Sequence, residues 1–362
     1  MSQLSESTRA DEKREKRRRK KRIVKASVSA VAVILIVFLI VPYTVSAIVL
    51  HVIFDRRFET EDYLRFSVQD FAGLGAERCV FSSDGVQLTG YRYYSAERGA
   101  APKGIIVLAH GFGGGGQNGY LDVSDYFVGR GYEVFAYDAR GNDESGGKVG
   151  GLAQGVKDLN HALSFVAEFA LPVFVWGHSW GGYSAACSLA FHEEVRAVAL
   201  VSAFCRADDM IAAQGARYGA PKTFLPYVRS VERAKFGQYA SLDGCDAAEK
   251  SGAGVFIAHG TADETVPLRY GYDAFYARLS DNPRVRFSLC EGKGHTDILY
   301  SAEGRAYTQS LAKAIGACPN ADERQKIVGN LDRKRLCSRL NEALFREIGD
   351  FFDGYLTAGA GT

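Results

Sequence analysis

Ser179 stands between two glycines in the run Gly177-His178-Ser179-Trp180-Gly181, directly after the apolar stretch Val173-Phe-Val-Trp176. A hydroxyl is a weak nucleophile until a base takes its proton, and that base needs a carboxylate to hold it in the right tautomer. Both types occur downstream. His259-Gly-Thr-Ala-Asp263 puts a carboxylate just past another apolar run, and Glu291-Gly-Lys-Gly-His295-Thr-Asp puts an imidazole in a glycine-flanked loop. Ser179, Asp263 and His295 thus have the side chains for attack on an acyl carbonyl, with Glu264 and Asp297 as rivals of Asp263. The serine stretch alone decides little, because glycines make turns and serines cap helices.

For three such distant residues to meet, each must leave a strand at the same end of one sheet. Short runs rich in Val, Ile and Phe recur at 104–109, 132–137, 173–176, 195–201, 255–258 and 285–289. Near-continuous apolar strands separated by helical stretches predict a parallel sheet covered on both faces. Leu152, Val156, Leu159, Leu163 and Val166 recur at three and four, the spacing of one helix face. Ahead of these runs, residues 78–94 read as a hairpin turning at Ser83-Asp84-Gly85. The expected fold is α/β, with a mostly parallel central sheet of about eight strands and helices on both faces. Residues 204–251 separate two strands by too long a stretch for an idle loop and predict a helical lid. Residues 298–336 form a second insertion before a last helix bearing Leu340, Leu344, Ile348, Phe351 and Phe352.

In this setting Gly177-His-Ser-Trp-Gly181 follows a predicted strand and opens a predicted helix, the context in which a serine at a tight bend projects from a sheet edge. With "SSDGVQLTGY", "VLAHGFGG", "AYDARGNDESGG", "GHSWGG", "HGTADETVP" and "GKGHTD", the chain resembles the α/β-hydrolase superfamily. The likeness is greatest to membrane-anchored serine esterase and serine aminopeptidase-like members. It covers roughly residues 77–300 and the last helix. It implies Ser179 as nucleophile, His295 as general base and Asp263 as orienting acid. An oxyanion hole would come from the backbone N–H groups of Phe112 and Trp180. The implied activity is that of a serine hydrolase cleaving an ester, less readily an amide, through an acyl-enzyme, with no cofactor or metal. Aminopeptidase-type cleavage, acyl transfer and a non-catalytic binding domain are the alternatives. One departure is Asn142-Asp143, where many relatives carry a His-Gly-like pair.

A rival pattern, Gly111-x-Gly113-x-x-Gly116 with Asp138 beyond it, outlines a dinucleotide site. It is set aside because two strands precede it, its glycines run on into Gln117-Asn118-Gly119, and it leaves Ser179, Asp263 and His295 unused.

Charge is unevenly spread. Residues 1–25 hold 11 Lys/Arg against 4 Asp/Glu, leaving 33 against 38 in the rest. A basic tail on a mildly acidic body does not describe a nucleic-acid-binding domain. Ala26 to Leu50 are 25 residues without a charge, about 37 Å as a helix and enough to cross a bilayer. The basic cluster just before them puts the N-terminus in the cytoplasm and the body on the other side. A cleaved signal ending near Val45-Ser46-Ala47 is the rival reading. The expected parts are a basic tail (1–25), a transmembrane helix (26–50), a link (51–76) and the α/β domain (77–362). A small or lipid-like acyl substrate fits a membrane-bound enzyme of this kind. Seven scattered cysteines show no zinc spacing, and Cys318–Cys337 is a local candidate for a disulfide.

Overall fold

The computed structural model describes residues 2–97 and 99–356, with side chains from residue 12 onward; residues 357–362 of the expected domain lie outside the described residues. Helix α1 (Ser2–Leu35) passes through a π-helical turn (Ile36–Ile40) into α2 (Val41–Phe54), so the N-terminal helix begins well before the charge-free run and ends shortly after it. Its section Glu12–Phe54 is long and apolar enough to cross a membrane.

The hairpin follows as β1 (Leu74–Ser83) and β2 (Val86–Ser95). Asp84 and Gly85 connect them with φ values of 45° and 75°, the paired positive angles of a two-residue turn that matches strand twist. Then come β3 (Ile105–Ala109), α3 (Leu121–Gly129), β4 (Glu133–Tyr137), α4 (Leu152–Val166), β5 (Val173–His178), α5 (Trp180–Ser188) and β6 (Val195–Val201). All eight strands form one sheet in the order β1-β2-β4-β3-β5-β6-β7-β8, where β7 is Gly254–Gly260 and β8 is Val285–Cys290. The first two strands pair antiparallel and the other six are mutually parallel.

The apolar strands are continuous because both faces are covered. Ile105 and Val107 enter the core under α4 and α5, while Ile106 and Leu108 enter the opposite core under α3 and the C-terminal helix. Full burial of each such side chain stabilises the fold by about 1.5–3 kcal/mol. The expected face of α4 is buried from Leu152 to Val166.

The stretch between β6 and β7 is helical: α6 (Ala207–Arg217), α7 (Leu225–Phe236) and α8 (Gly244–Lys250). After α9 (Tyr272–Leu279) and β8, the second insertion holds α10 (Ala302–Gly316), α11 (Ala321–Gly329) and α12 (Arg333–Cys337). Helix α13 (Glu342–Asp353) closes the domain with Leu344, Ile348, Phe351 and Phe352 buried; Leu340 is also buried but precedes the helix, bridging to Tyr300.

The Cys318–Cys337 pairing is corrected by the structure, in which both are free thiols. Cys318, just past the end of α10, turns back to the Ala314 carbonyl, and Cys337 faces the Asp70 carbonyl. The disulfide joins Cys205 to Cys245 instead, at a Cα separation of 5.5 Å. The lid returns there to its starting point: Gly244 N–H donates to Cys205 O, and Arg206 bridges to Asp243.

Candidate active site

Ser179 lies between β5 and α5 with φ 56° and ψ −114°, a backbone conformation costing on the order of 1–3 kcal/mol for a non-glycine residue. The surrounding sterics enforce it. A Cβ at Gly177 would come within 2.4 Å of the Gly181 carbonyl oxygen, and one at Gly181 within 1.9 Å of the Ala109 oxygen. The chain can therefore double back from strand to helix only with glycine on both sides, and the serine is left at the bend.

Asp263 sits in the loop after β7, and His295 in the loop after β8. Their side chains converge on the serine. His295 Nε2 is 2.8 Å from Ser179 Oγ, and its Nδ1 is 2.8 Å from Asp263 Oδ2. An ionised carboxylate only accepts, so Nδ1 carries the proton and Nε2 presents its lone pair to the serine hydroxyl. Asp263 Oδ1 accepts from the N–H groups of Thr265 and Val266. Burial works to raise the Asp263 pKa. Hydrogen bonds from His259 and His295, with the Val266 N–H, outweigh it and hold the carboxyl well below the usual range. Of the two rivals, Asp297 pairs with Arg305 at 2.9 Å, while Glu264 offers its backbone carbonyl to Arg217.

Phe112 follows β3 at the same sheet end, and its ring packs edge-on against Trp180 at 5.8 Å. Trp180 opens α5, so its N–H has no acceptor inside the helix. Two further histidines near the site bond to backbone, and His259 Nε2 also lies 3.3 Å from Asp263 Oδ2. His110 donates from Nδ1 to Gly111 O and accepts the Ala139 N–H at Nε2, and His259 Nε2 donates to Val266 O.

Several residues that shape the site carry no signal in the sequence. The His295 carbonyl is held by two donors, Ser202 Oγ and His178 Nε2, each at 3.1 Å. Since a carbonyl only accepts, His178 is protonated at Nε2 and accepts a hydrogen bond from the Tyr120 hydroxyl at Nδ1, 2.9 Å away. Tyr120 in turn accepts the Gly111 N–H. A single chain of hydrogen bonds thus links the loop carrying Phe112 to the loop carrying His295. Burial, then the neighbouring His295 ring, pushes His178 down to about 3.

Asp143, the unusual residue of "RGNDESGG", is a structural hub. Its carboxylate accepts from the Thr60 N–H and hydroxyl and from the Gly116 N–H, clamping the N-terminal link onto the glycine loop. The link is therefore part of the site: Thr60 and Leu64 line a cleft of about 200 Å³ together with Phe112, Ser179, His295 and Arg339. Arg339 is buried against Asp122 at 2.7 Å, and among the described residues its Nη1 has no hydrogen-bond partner.

The profile of a family described as serine aminopeptidase, S33, matches residues 100–235, a stretch that holds Phe112 and Ser179 but stops short of Asp263 and His295. A monoacylglycerol lipase of Mycolicibacterium smegmatis is 33% identical over 121 residues, covering 32% of this chain and 39% of that protein. A monoglyceride lipase of Saccharomyces cerevisiae is 31% identical over 109 residues, covering 26% and 32%. The chain thus matches only about a third to two fifths of the length of these relatives. An esterase of Pyrococcus furiosus has the same fold, with a TM-score of 0.55 at 16% identity over 83% of this chain and 97% of that one. Sheet order and bend give the chain an α/β-hydrolase fold, and the matched stretch is similar in sequence to the S33 family and to the two lipases.

Proposed function

We propose that this protein is a membrane-anchored serine hydrolase that cleaves an ester of a lipid-like substrate. The observation that carries the reading is the unbroken run of hydrogen bonds from Asp263 through His295 to a serine held at a strained bend. His295 Nε2 takes the Ser179 proton as Oγ attacks the acyl carbonyl, and the oxyanion rests on the N–H groups of Phe112 and Trp180. The same proton then goes to the leaving alkoxide. In the second half, His295 deprotonates a water that attacks the acyl-enzyme, releasing the acid and restoring Ser179. The likeness to monoacylglycerol lipases supports ester over amide chemistry.

The residue 26–50 segment acts as anchor in this reading, with the basic tail cytoplasmic and the catalytic domain outside. The Lys/Arg bias ahead of the segment supports that orientation. So does the Cys205–Cys245 disulfide, a bond that persists in oxidising compartments.

The test uses the full chain in detergent micelles with a fluorophosphonate probe, alongside monoacylglycerols, short-chain esters and aminoacyl amides. Labelling should occur in the parent and vanish in Ser179→Ala, with ester turnover lost in parallel. An unlabelled parent, or labelling that survives the substitution, would overturn the assignment. Preferential release of the aminoacyl amides would make it a peptidase.

A further inference from the structure

One helix of the lid, α7, is in contact with the C-terminal part of the N-terminal helix. Lid helix α7 runs back along α2. At its C-terminal end, Lys235 Nζ donates to Gly150 O, and Gly150 N–H donates to the carbonyl of Phe54, the last residue of α2. At its N-terminal end, the Tyr227 hydroxyl donates to the carbonyl of Phe38, inside the π-helical turn.

That carbonyl is a particular one. Pro42 has no N–H, so the carbonyl four residues before it, that of Phe38, loses its α-helical donor. An orphaned carbonyl in an apolar setting is costly, and neighbouring side chains commonly satisfy it. Here the neighbour is a lid tyrosine.

The depth of this contact follows from length. The charge-free run of the helix begins at Ala26, directly after Lys25. A hydrocarbon core of about 30 Å takes about 20 residues, which brings the helix to Val45 at the far surface. Phe38 then lies about 10 Å inside that surface, at about 1.5 Å per residue. The segment that reaches this level holds Ala220, Pro221, Pro226 and the half-buried Phe224 and Leu225, beside a Tyr218 that is 90% exposed; its one charge, the exposed Lys222, has a side chain long enough to reach the headgroups. Apolar side chains exposed on α2 continue through Val52 and Ile53, so no polar spacer lifts the domain away. At the top of the helix, the Phe54 ring packs on Phe112 at 5.6 Å, one side chain from Trp180.

We infer that the lid and the anchor form one membrane-seated unit: Tyr227 docks α7 on the carbonyl that Pro42 frees, and the tip Tyr218–Tyr227 lies in the leaflet on the domain's side. The partner of this surface is lipid hydrocarbon, and an acyl chain reaches the cleft along α2 without crossing water. The inference rests on the proposal that the N-terminal helix spans the bilayer, and the experiment separates the two.

Both native tryptophans, Trp176 and Trp180, are buried in the domain, 0% and 2% exposed, so an added one reports its own surroundings. The full chain is reconstituted in phosphatidylcholine vesicles brominated along the acyl chains. Val37→Trp reports the anchor and Phe224→Trp reports the lid tip. The emission that each added tryptophan contributes over the parent should be quenched by about half or more, as for side chains at least about 5–10 Å below the headgroups. Adding Tyr227→Phe should reduce quenching at position 224 and leave position 37 unchanged. Quenching at 37 without quenching at 224 would overturn the lid inference while the anchor stands. No quenching at 37 would remove the anchor and the inference with it. Quenching at 224 that ignores Tyr227→Phe would overturn the docking role of Tyr227.

Discussion

Two imidazoles, His178 and His295, sit with ring centroids 5.0 Å apart at the same end of the sheet, yet their surroundings suit them to opposite tasks. His295 has a carboxylate on one nitrogen and a hydroxyl on the other, so it can gain a proton with its charge compensated. His178 has a phenol on one nitrogen and a carbonyl on the other, is buried, and is pushed down to about 3. In the proposed mechanism the first moves protons, and the second stays neutral and holds the first in place. Hydrogen-bond partners, not proximity to the serine, separate a base from a brace.

The strongest way to break this comparison is to remove each ring in turn. His295→Ala should lower ester turnover by on the order of 10⁴-fold or more, because the serine loses its base. His178→Asn should cost only about fivefold, the value of roughly one net hydrogen bond. Comparable losses from the two substitutions in a steady-state assay would end the distinction.

Next in size is the carboxylate that makes His295 what it is. Asp263→Asn leaves the volume unchanged but offers an amide to Nδ1, favouring the wrong tautomer. Turnover should fall by about 10³–10⁴-fold while KM moves little. If the loss stayed below tenfold, the orienting role of Asp263 would be wrong.

The two groups also divide the acid side of a stability profile. His178 is lowered in the folded state, so the unfolded chain binds the extra proton. Its contribution is complete above about pH 6.5 and is lost as the pH falls toward 3, at up to about 1.4 kcal/mol per pH unit. Asp263, also lowered, keeps its contribution down to about pH 4 and loses it only below. Asp138 and Glu232, pushed up to about 7 by burial, act in the opposite direction between about pH 4 and 7. The informative quantity is therefore the difference in unfolding free energy between the parent and His178→Phe. It should shrink as the pH falls from 6.5 to 4, and a pH-independent difference would mean that His178 is not held neutral.

The same contrast marks what could be read from the sequence. The bend at Ser179 was legible because its cause is local, two glycines against adjacent backbone. The strands were legible because burial on both faces writes an unbroken apolar run. Asp263 and His295 could be singled out because each follows such a run. Nothing near His178 shows that its partners are Tyr120 and a carbonyl 117 residues away, since those contacts exist only after the sheet has assembled. Asp143 looked like a mere departure from a pattern, yet its meaning lies in Thr60 and Gly116. The disulfide was missed for the same reason: 40 residues separate Cys205 from Cys245, and only the lid's return brings them together. The contact of Tyr227 with Phe38 is the extreme case, joining the lid to a helix 189 positions earlier.

The smallest effect tests whether brace and base are joined through Tyr120. Its hydroxyl accepts from Gly111 N–H and donates to His178 Nδ1, so Tyr120→Phe removes one link at each end and leaves the ring packed against Trp176. Turnover should drop by about two- to fivefold, in keeping with a net hydrogen bond of about 1 kcal/mol or less. A purely structural tyrosine would give a loss that adds to that of His178→Phe. In a linked chain the double variant should be little slower than His178→Phe alone, because the second substitution breaks what the first has already broken. Additive losses in that cycle would show that the glycine loop and the His295 loop are held independently, and that His178 steadies its neighbour without help from Tyr120.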